Sequence, residues 1–231
     1  MGGFVLTSFT WEAKKCAICG SYNIYEKPAS LFIFREPDLD LRMSVLGRDH
    51  FLRTLVEVCP SCGYCAIDSS KKIGKAEKLV RSDHYKRQFN NPNFPELANA
   101  FLCSAMIQES VNDYAKAGLS CIYAAWACDD EGFETAARDC RKKAIVLLQK
   151  ARKNKQRFLD KGSEEEELLI IDLLRRSGQF ERALELCDKT SKKNPKKRVL
   201  DILKFQKQLI EKSDTKCHNL SEVFEREDDT H

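Results

Sequence analysis

Two stretches of the sequence share the pattern Cys-x-x-Cys-Gly, namely Cys16-Ala17-Ile18-Cys19-Gly20 and Cys59-Pro60-Ser61-Cys62-Gly63. Each pattern places a pair of thiolates on one side of a tight turn, and the glycine permits a backbone in which amides face the sulfurs. We therefore predict one structural zinc ion (Zn²⁺), bound by Cys16, Cys19, Cys59 and Cys62. A site of four thiolates has no open position, so this metal is expected to fold the module and not to catalyse a reaction.

The residues around the two cysteine turns predict a small β-rich module. Ser30–Phe34 and Leu52–Val58 are short apolar runs, bounded by turn residues or by the cysteine turns, and such runs are typical of strands. The segment Arg35–His50 between them is polar and is predicted to form a loop.

Several titratable residues of this loop raise the question of acid–base chemistry. Asp38 and Asp40 lie close to Arg42, and Asp49 is followed by His50. No second element positions these groups, so a charge-paired loop is the preferred interpretation. The sequence also contains no phosphate-binding glycine loop, no nucleophile elbow and no catalytic metal triad, so we expect no enzyme.

Composition changes near residue 70, after which long stretches carry apolar residues at helical spacing. The sequence predicts an α+β protein that is mostly α: a zinc-ribbon module over residues 1–73, an all-helical domain over residues 74–212, and a disordered tail over residues 213–231. Ser163, followed three residues later by Glu166, has the spacing of a capping box at the start of one helix.

A repeat is visible within the helical part. The segments 112–117 and 178–183 align, and each is followed by a cysteine, Cys121 and Cys187, four residues after its last alanine. Their offset is close to twice the tetratricopeptide period of about 34 residues, in which a small residue lets paired helices approach each other. The repeat predicts tetratricopeptide-like helical hairpins.

The remaining cysteines of the chain, which has 11 in all, admit different interpretations. Cys65 extends the second turn and could replace a zinc ligand, serve as a spare thiol of low pKa that is open to oxidation, or be a buried core residue. Cysteines on the predicted helices are expected to be small core residues. These are Cys103, Cys121, Cys128, Cys140 and Cys187.

The charge balance and hydropathy of the chain exclude several classes of protein. Lys and Arg number 39 against 35 Asp and Glu, and the resulting net charge of +4 is far from the density that drives non-specific nucleic-acid binding. Basic clusters are interleaved with acidic runs. No apolar run is long enough to span a membrane, and the N-terminus lacks the order of a secretory signal, so a cytoplasmic location with reduced thiols is expected.

Four segments carry a resemblance to a known family: the first cysteine turn, Pro37–Arg42, Val58–Tyr64 and Ala124–Asp130. Together they resemble an uncharacterised prokaryotic family that joins an N-terminal zinc ribbon to tetratricopeptide-like helices. The resemblance implies this architecture and the four zinc ligands, and it implies no activity.

These observations favour a non-enzymatic adaptor whose helical domain binds another protein. If Ala183 occupies the small position of a tetratricopeptide unit, as the resemblance implies, Asp172, Arg175 and Arg176 fall at positions that line its groove. The two arginines would then clamp the carboxylate of an acidic peptide. A plainer interpretation is that both arginines face water near the end of a helix.

Two alternatives to the adaptor remain open at this point. Zinc ribbons also bind nucleic acid, and the basic clusters could follow a phosphate backbone. A thiol-based sensor is the second alternative, with Cys65 beside the metal as the reactive group.

Overall fold

The computed structural model of the protein describes residues 7–160 and 162–224, apart from the side chain of Asp49. Contacts within the chain divide it into two compact units. Unit 1 comprises the chain up to Phe32 together with Val45–Gln156, and unit 2 comprises Ile33–Ser44 together with the chain from Arg157 onward.

Within the described residues, the strands and one short helix lie before residue 70, and the other helices follow. The short helix, Arg48–Arg53, lies where the sequence predicted the end of a loop and the start of a strand. The strands are β1 (Ser8–Lys15), β2 (Tyr22–Ser30), β3 (Ile33–Arg35), β4 (Ser44–Val45), β5 (Glu57–Val58) and β6 (Cys65–Ala66). The helices are α1 (Arg48–Arg53), α2 (Ala76–Val80), α3 (Asp83–Phe89), α4 (Glu96–Ser110), α5 (Tyr114–Asp130), α6 (Glu134–Lys153), α7 (Ser163–Arg176), α8 (Phe180–Ser191), α9 (Lys197–Glu211) and α10 (Ser221–Phe224).

The strands form three small sheets of two strands each, β1 with β2, β3 with β4, and β5 with β6. Helices therefore dominate the described chain, and the predicted class, α+β and mostly α, is confirmed at this level. None of the helices in the described ranges is both long enough and apolar enough to cross a membrane.

Unit 1 is built around helix α5, which packs against both α4 and α6. Asp113 caps the start of α5 by accepting a hydrogen bond from the amide of Lys116 at 3.1 Å. Gly118 allows a close approach to α6, since a Cβ atom there would lie 2.5 Å from Cδ2 of Leu148. These helices bury long apolar runs and form most of the core of unit 1.

The predicted boundary between residues 73 and 74 does not coincide with the division between the units. The second cysteine turn is bound to helix α3, because the hydroxyl of Tyr85 donates to the carbonyl of Gly63 at 2.8 Å and accepts from the amide of Cys65 at 3.2 Å. Strand β6 also packs against α4. The cysteine turns and the first helices therefore share one core.

Within the described residues, unit 2 contains helices α7, α8, α9 and α10. It also contains the segment Ile33–Ser44, which lies far from these helices along the chain. Residues 213–224, predicted as the start of a disordered tail, pair here with the segment Ile33–Ser44. The amide of Leu39 donates to the carbonyl of His218 at 2.9 Å, and the amide of Leu220 donates to that of Pro37 at 2.9 Å. These backbone hydrogen bonds hold residues 213–224 in place, whereas the predicted tail residues 225–231 lie outside the described residues.

Candidate metal centre

Two tight turns position the four predicted ligands. The first turn lies between β1 and β2, and the second lies between β5 and β6. The amide of Gly20 donates to the carbonyl of Cys16 at 2.9 Å, and the amide of Gly63 donates to that of Cys59 at 2.8 Å. Both glycines have positive φ, 78° and 74°, which side-chain-bearing residues rarely adopt. The glycine of each Cys-x-x-Cys-Gly pattern is therefore a requirement of the turn.

The four sulfurs of the two turns lie together. All of them are within 4.8 Å of one another. The Sγ atoms of Cys19 and Cys59 are 3.6 Å apart, and those of Cys16 and Cys62 are 3.8 Å apart. Zinc–sulfur bonds of about 2.3 Å in a tetrahedron require sulfurs about 3.8 Å apart. The spacing of the cysteine cluster thus fits a tetrahedral metal ion.

Several donors face the sulfurs and stabilise negative charge on them. The amide of Ile18 donates to Cys16 Sγ at 3.4 Å. The hydroxyl of Ser21 is 3.2 Å from the sulfur of Cys19 and 3.3 Å from that of Cys59. Such donors favour the thiolate form, which is the form that binds metal.

The pKa values of the clustered cysteines are shifted in opposite directions. Burial of Cys59 opposes its ionisation, but hydrogen bonds from Ser21 and from nearby amides lower its pKa to about 6. Burial and the neighbouring sulfurs raise the pKa of Cys62 well above its usual range. Four adjacent thiolates repel one another, so full ionisation requires a positive charge between them. A bound dication would supply that charge.

A buried ionic network fastens the first turn to the second. The ammonium of Lys14 lies 2.9 Å from Glu57 and 3.2 Å from Asp68. Glu57 also accepts a hydrogen bond from the amide of Ser69 at 2.6 Å, and the carbonyl of Ser69 accepts one from Ala17 at 2.9 Å. Sequence reasoning missed this network, because its charges are far apart along the chain.

Cys65 is not a member of the cysteine cluster. It is completely buried, and its thiol donates to the carbonyl of Gly63 at 3.3 Å. Burial raises the pKa of Cys65 well above its usual value. The expectation of an accessible thiol of low pKa is therefore wrong, and a buried core cysteine is what the structure shows. The helical cysteines are buried as well, namely Cys103, Cys121, Cys128, Cys140 and Cys187.

The residues predicted to line a partner groove are buried. Asp172 and Arg175 form an ion pair of 2.6 Å, and the Arg175 guanidinium also donates to the carbonyl of Asp214 at 2.7 Å. Arg176 is ion-paired with Asp40. Both predictions for the arginines, a groove that clamps a carboxylate and a face open to water, are wrong. Asp214 binds the guanidinium group of Arg175 and Asp40 binds that of Arg176, and both aspartates are far from the arginines along the chain.

The carboxylates of the Pro37–Arg42 segment belong to a structural network in unit 2. Asp40 binds Arg176, and the side-chain Nδ2 of Asn219 donates to Asp38 at 3.4 Å. The sulfur of Cys217 lies within 4.8 Å of both carboxylates, a grouping that sequence reasoning missed. Desolvation of its sulfur and the nearby Asp40 raise the pKa of Cys217 to about 12, which disfavours the thiolate form that binds metal.

Asp49 and His50 were considered for acid–base chemistry and interpreted as part of a charge-paired loop, and of their side chains the structure describes only that of His50. The side chain of Asp49 lies outside the described residues. The Nε2 atom of His50 lies 2.8 Å from Glu26 of the hairpin. The ring of His50 also makes an edge contact with that of Phe9. The neighbours of His50 are thus residues of the β1–β2 hairpin.

Comparison with known proteins gives one match. The model of a family described as an uncharacterized protein conserved in bacteria (DUF2225) matches residues 53–210, which is more than half of the chain. The matched range includes Cys59 and Cys62 and begins after Cys16 and Cys19. No curated protein and no solved structure matches the chain.

Proposed function

The chain belongs to the bacterial family DUF2225, whose description names no activity, and we propose from this premise that the protein is a zinc-binding adaptor. In this proposal it is not an enzyme, it works in the cytoplasm, and it binds another protein. The observation that carries the proposal is the cluster of four cysteine sulfurs, all within 4.8 Å of one another.

The chemistry of the cysteine cluster supports a structural role for the metal. Thiolate ligands in a tetrahedron favour zinc, and four of them leave no position for a water or a substrate. The metal would hold together two turns that otherwise rest on a few short strands. Because the ligands are far apart along the chain, the free energy of zinc binding would contribute to folding.

An exposed apolar face on the β1–β2 hairpin supports the binding of a protein partner. Trp11, Tyr22 and Ile24 are 67%, 77% and 69% exposed. Ala13 is paired with Ile24 and Trp11 with Glu26, so these side chains share one face of the hairpin. A group of exposed aromatic and aliphatic side chains on one face is typical of an interaction surface.

The helices support the tetratricopeptide-like part of the proposal. Helix α5 packs against α4 and, with a close approach at Gly118, against α6, and α7, α8 and α9 pack together in unit 2. Ala183, the predicted small residue of a repeat unit, is completely buried in α8. In the proposed adaptor these helices are the scaffold, and the hairpin face is the surface that meets the partner.

The metal is tested by elemental analysis of the purified full chain. We expect one zinc per chain in the parent protein and in Cys217→Ser, and almost none in Cys59→Ser, which removes the ligand with the lowest pKa. If the parent protein contains iron in place of zinc, the bound metal is iron and the zinc assignment is wrong. A metal-free parent protein would contradict the proposal.

The adaptor role is tested by affinity capture from the native cells with matched surface variants. Replacing Trp11 and Ile24 by serine removes the apolar face, whereas Val146→Ser changes an exposed apolar residue on α6. We expect the same partner with the parent protein and with Val146→Ser, and its loss with the hairpin variant. Retention by the hairpin variant, or salt-dependent capture of nucleic acid alone, would contradict the proposal.

A further inference from the structure

The four sulfurs of the metal centre differ in their access to solvent. Cys16 and Cys59 are 2% and 0% exposed, Cys62 is half-buried, and Cys19 is exposed. A small oxidant that arrives from solvent therefore meets Cys19 first. Thiolates are the nucleophilic form of cysteine, and metal-bound sulfurs have lost their protons.

The sulfur partner of Cys19 lies on the other turn. Cys59 Sγ is 3.6 Å away, and the hydroxyl of Ser21 lies within hydrogen-bond distance of both sulfurs. The second short contact, 3.8 Å between Cys16 and Cys62, also joins the two turns. Because a disulfide is about 2.05 Å long, a closure of about 1.5 Å would join either pair.

We infer that the metal centre is also a site of oxidative modification, in which a hydroperoxide links Cys19 to Cys59 and the metal is released. The inference rests on the proposed zinc site. The oxidant is a hydroperoxide from the cell, such as hydrogen peroxide. The modified residues are those that the structure brings together across the two turns.

The reaction balances with hydrogen peroxide as the only oxidant. The sulfur of Cys19 attacks one peroxide oxygen, the O–O bond breaks, and Cys19 becomes a sulfenic acid while hydroxide leaves. The thiolate of Cys59 then attacks the sulfur of Cys19 and displaces a second hydroxide. The two sulfurs together lose two electrons, and the two hydroxides take up two protons from solvent to become water. With two of its ligands joined, the zinc ion dissociates.

The position of the disulfide has a structural consequence. A link from Cys19 to Cys59 holds the first turn to the second and closes a long loop, so it limits the freedom of the metal-free chain. A link within one turn, between Cys16 and Cys19, would leave the two turns unconnected. Oxidation across the turns therefore preserves the cross-connection that the metal provided.

The other cysteines of the chain supply a control. Cys65 and the helical cysteines are buried, whereas Cys217 is exposed and lies outside the cysteine cluster. The raised pKa of Cys217 keeps its sulfur mainly in the less reactive thiol form, and oxidation of Cys217 would leave the four clustered sulfurs unchanged. The variant Cys217→Ser is expected to release zinc as the parent protein does.

The experiment treats the zinc-loaded full chain with one equivalent of hydrogen peroxide in the presence of a chromogenic zinc chelator. Free thiols are then blocked with N-ethylmaleimide, and linked peptides are identified by mass spectrometry. Fragmentation is needed, because Cys16 and Cys19 lie on one tryptic peptide, as do Cys59 and Cys62. We expect one zinc released per disulfide, with Cys19 joined to Cys59 as the main product in the parent protein and in Cys217→Ser.

A main product that joins Cys16 to Cys19 or Cys59 to Cys62 would overturn the inference, as would oxidation of Cys217 with full retention of zinc. Failure of the proposed function is a separate result. If the purified protein contains no metal, elemental analysis rejects the zinc site. The linkage map of the same metal-free protein then still decides whether Cys19 and Cys59 are the pair that oxidises.

Discussion

Among the described residues, Arg175 is the largest side chain that is completely buried. Its guanidinium is ion-paired with Asp172 and donates to the backbone carbonyls of Asp214 and Lys216 at 2.7 and 3.0 Å. One residue of α7 therefore fixes the start of the segment that follows α9. The role of Arg175 is structural, and its energy depends on partners that surround it in the fold.

Replacing Arg175 by alanine is expected to destabilise unit 2. The change leaves the carboxylate of Asp172 buried without its counter-charge, and breaking a buried pair in this way costs about 3–5 kcal/mol. Urea denaturation followed by circular dichroism measures the loss.

Arg182→Ala, at an exposed position on α8, is the matched control and should change the free energy of unfolding by about 0.5 kcal/mol or less. Replacing both partners, Asp172→Leu with Arg175→Met, should recover part of the loss, because no buried charge is then left alone. Equal effects of Arg175→Ala and Arg182→Ala would contradict this account.

At the scale of elements, the contact between α5 and α6 depends on the absence of a side chain at Gly118. Replacing a helical glycine by alanine normally gains about 1 kcal/mol from helix propensity. At this position the new Cβ atom would lie 2.5 Å from Cδ2 and 2.7 Å from Cγ of Leu148, and overpacking of that kind costs about 1–3 kcal/mol.

The sign of the Gly118→Ala effect should therefore depend on residue 148. In the parent protein we expect net destabilisation, measured as a lower urea midpoint. In a Leu148→Ala background the same change should be stabilising by up to about 1 kcal/mol, since only the propensity gain remains. A loss of stability in both backgrounds would show that the contact with Leu148 is not the cause.

The segment after α9 should respond to acid through Asp214. Burial opposes ionisation of Asp214, but the amide of Lys216 and the nearby His218 outweigh it and lower the pKa of the carboxyl. A carboxyl whose pKa is lower in the folded state contributes stability above its unfolded value of about 3.8, and the contribution is lost as pH falls through the folded value.

Hydrogen exchange of residues 214–224 is the measurement for this element. At pH 6 the protection in the parent protein should exceed that in Asp214→Asn, and the difference should shrink as the pH falls below 3.8. A difference that stays constant across this range would assign the effect of the substitution to packing and not to charge.

At the scale of the whole molecule, the division into units predicts which helices depend on the metal. Tyr85 of α3 is hydrogen-bonded to Gly63 and Cys65 of the second turn. Removal of zinc by a chelator should thus reduce amide protection in β1, β2 and α3, whereas α7, α8 and α9 of unit 2 should keep theirs. Hydrogen exchange of the full chain with and without chelator measures this, and a uniform loss across both units would contradict it.

The sequence by itself determined the features that depend on short spacing. The two Cys-x-x-Cys-Gly patterns identified the four residues that cluster, because a pair of thiols and the glycine of its turn lie within five residues. Helical periodicity likewise predicted that the chain after residue 74 is mainly helical, and Cys103 and Cys187, which lie on predicted helices, are buried as expected. Each of these inferences uses only interactions between near neighbours along the chain.

The tertiary structure decided which distant groups meet. The pattern of Ser163 and Glu166 suggested a capping box, yet Glu166 accepts hydrogen bonds from Arg157 at 2.8 Å and Phe158 at 3.1 Å, and Gly162 occupies the cap position. Arg175 and Arg176 were interpreted as residues of a helix end that faces water, but both are buried. Arg175 contacts Asp214, and Arg176 contacts Asp40. The physical reason is that a buried charge needs a partner, and no local pattern states which part of the chain will supply it.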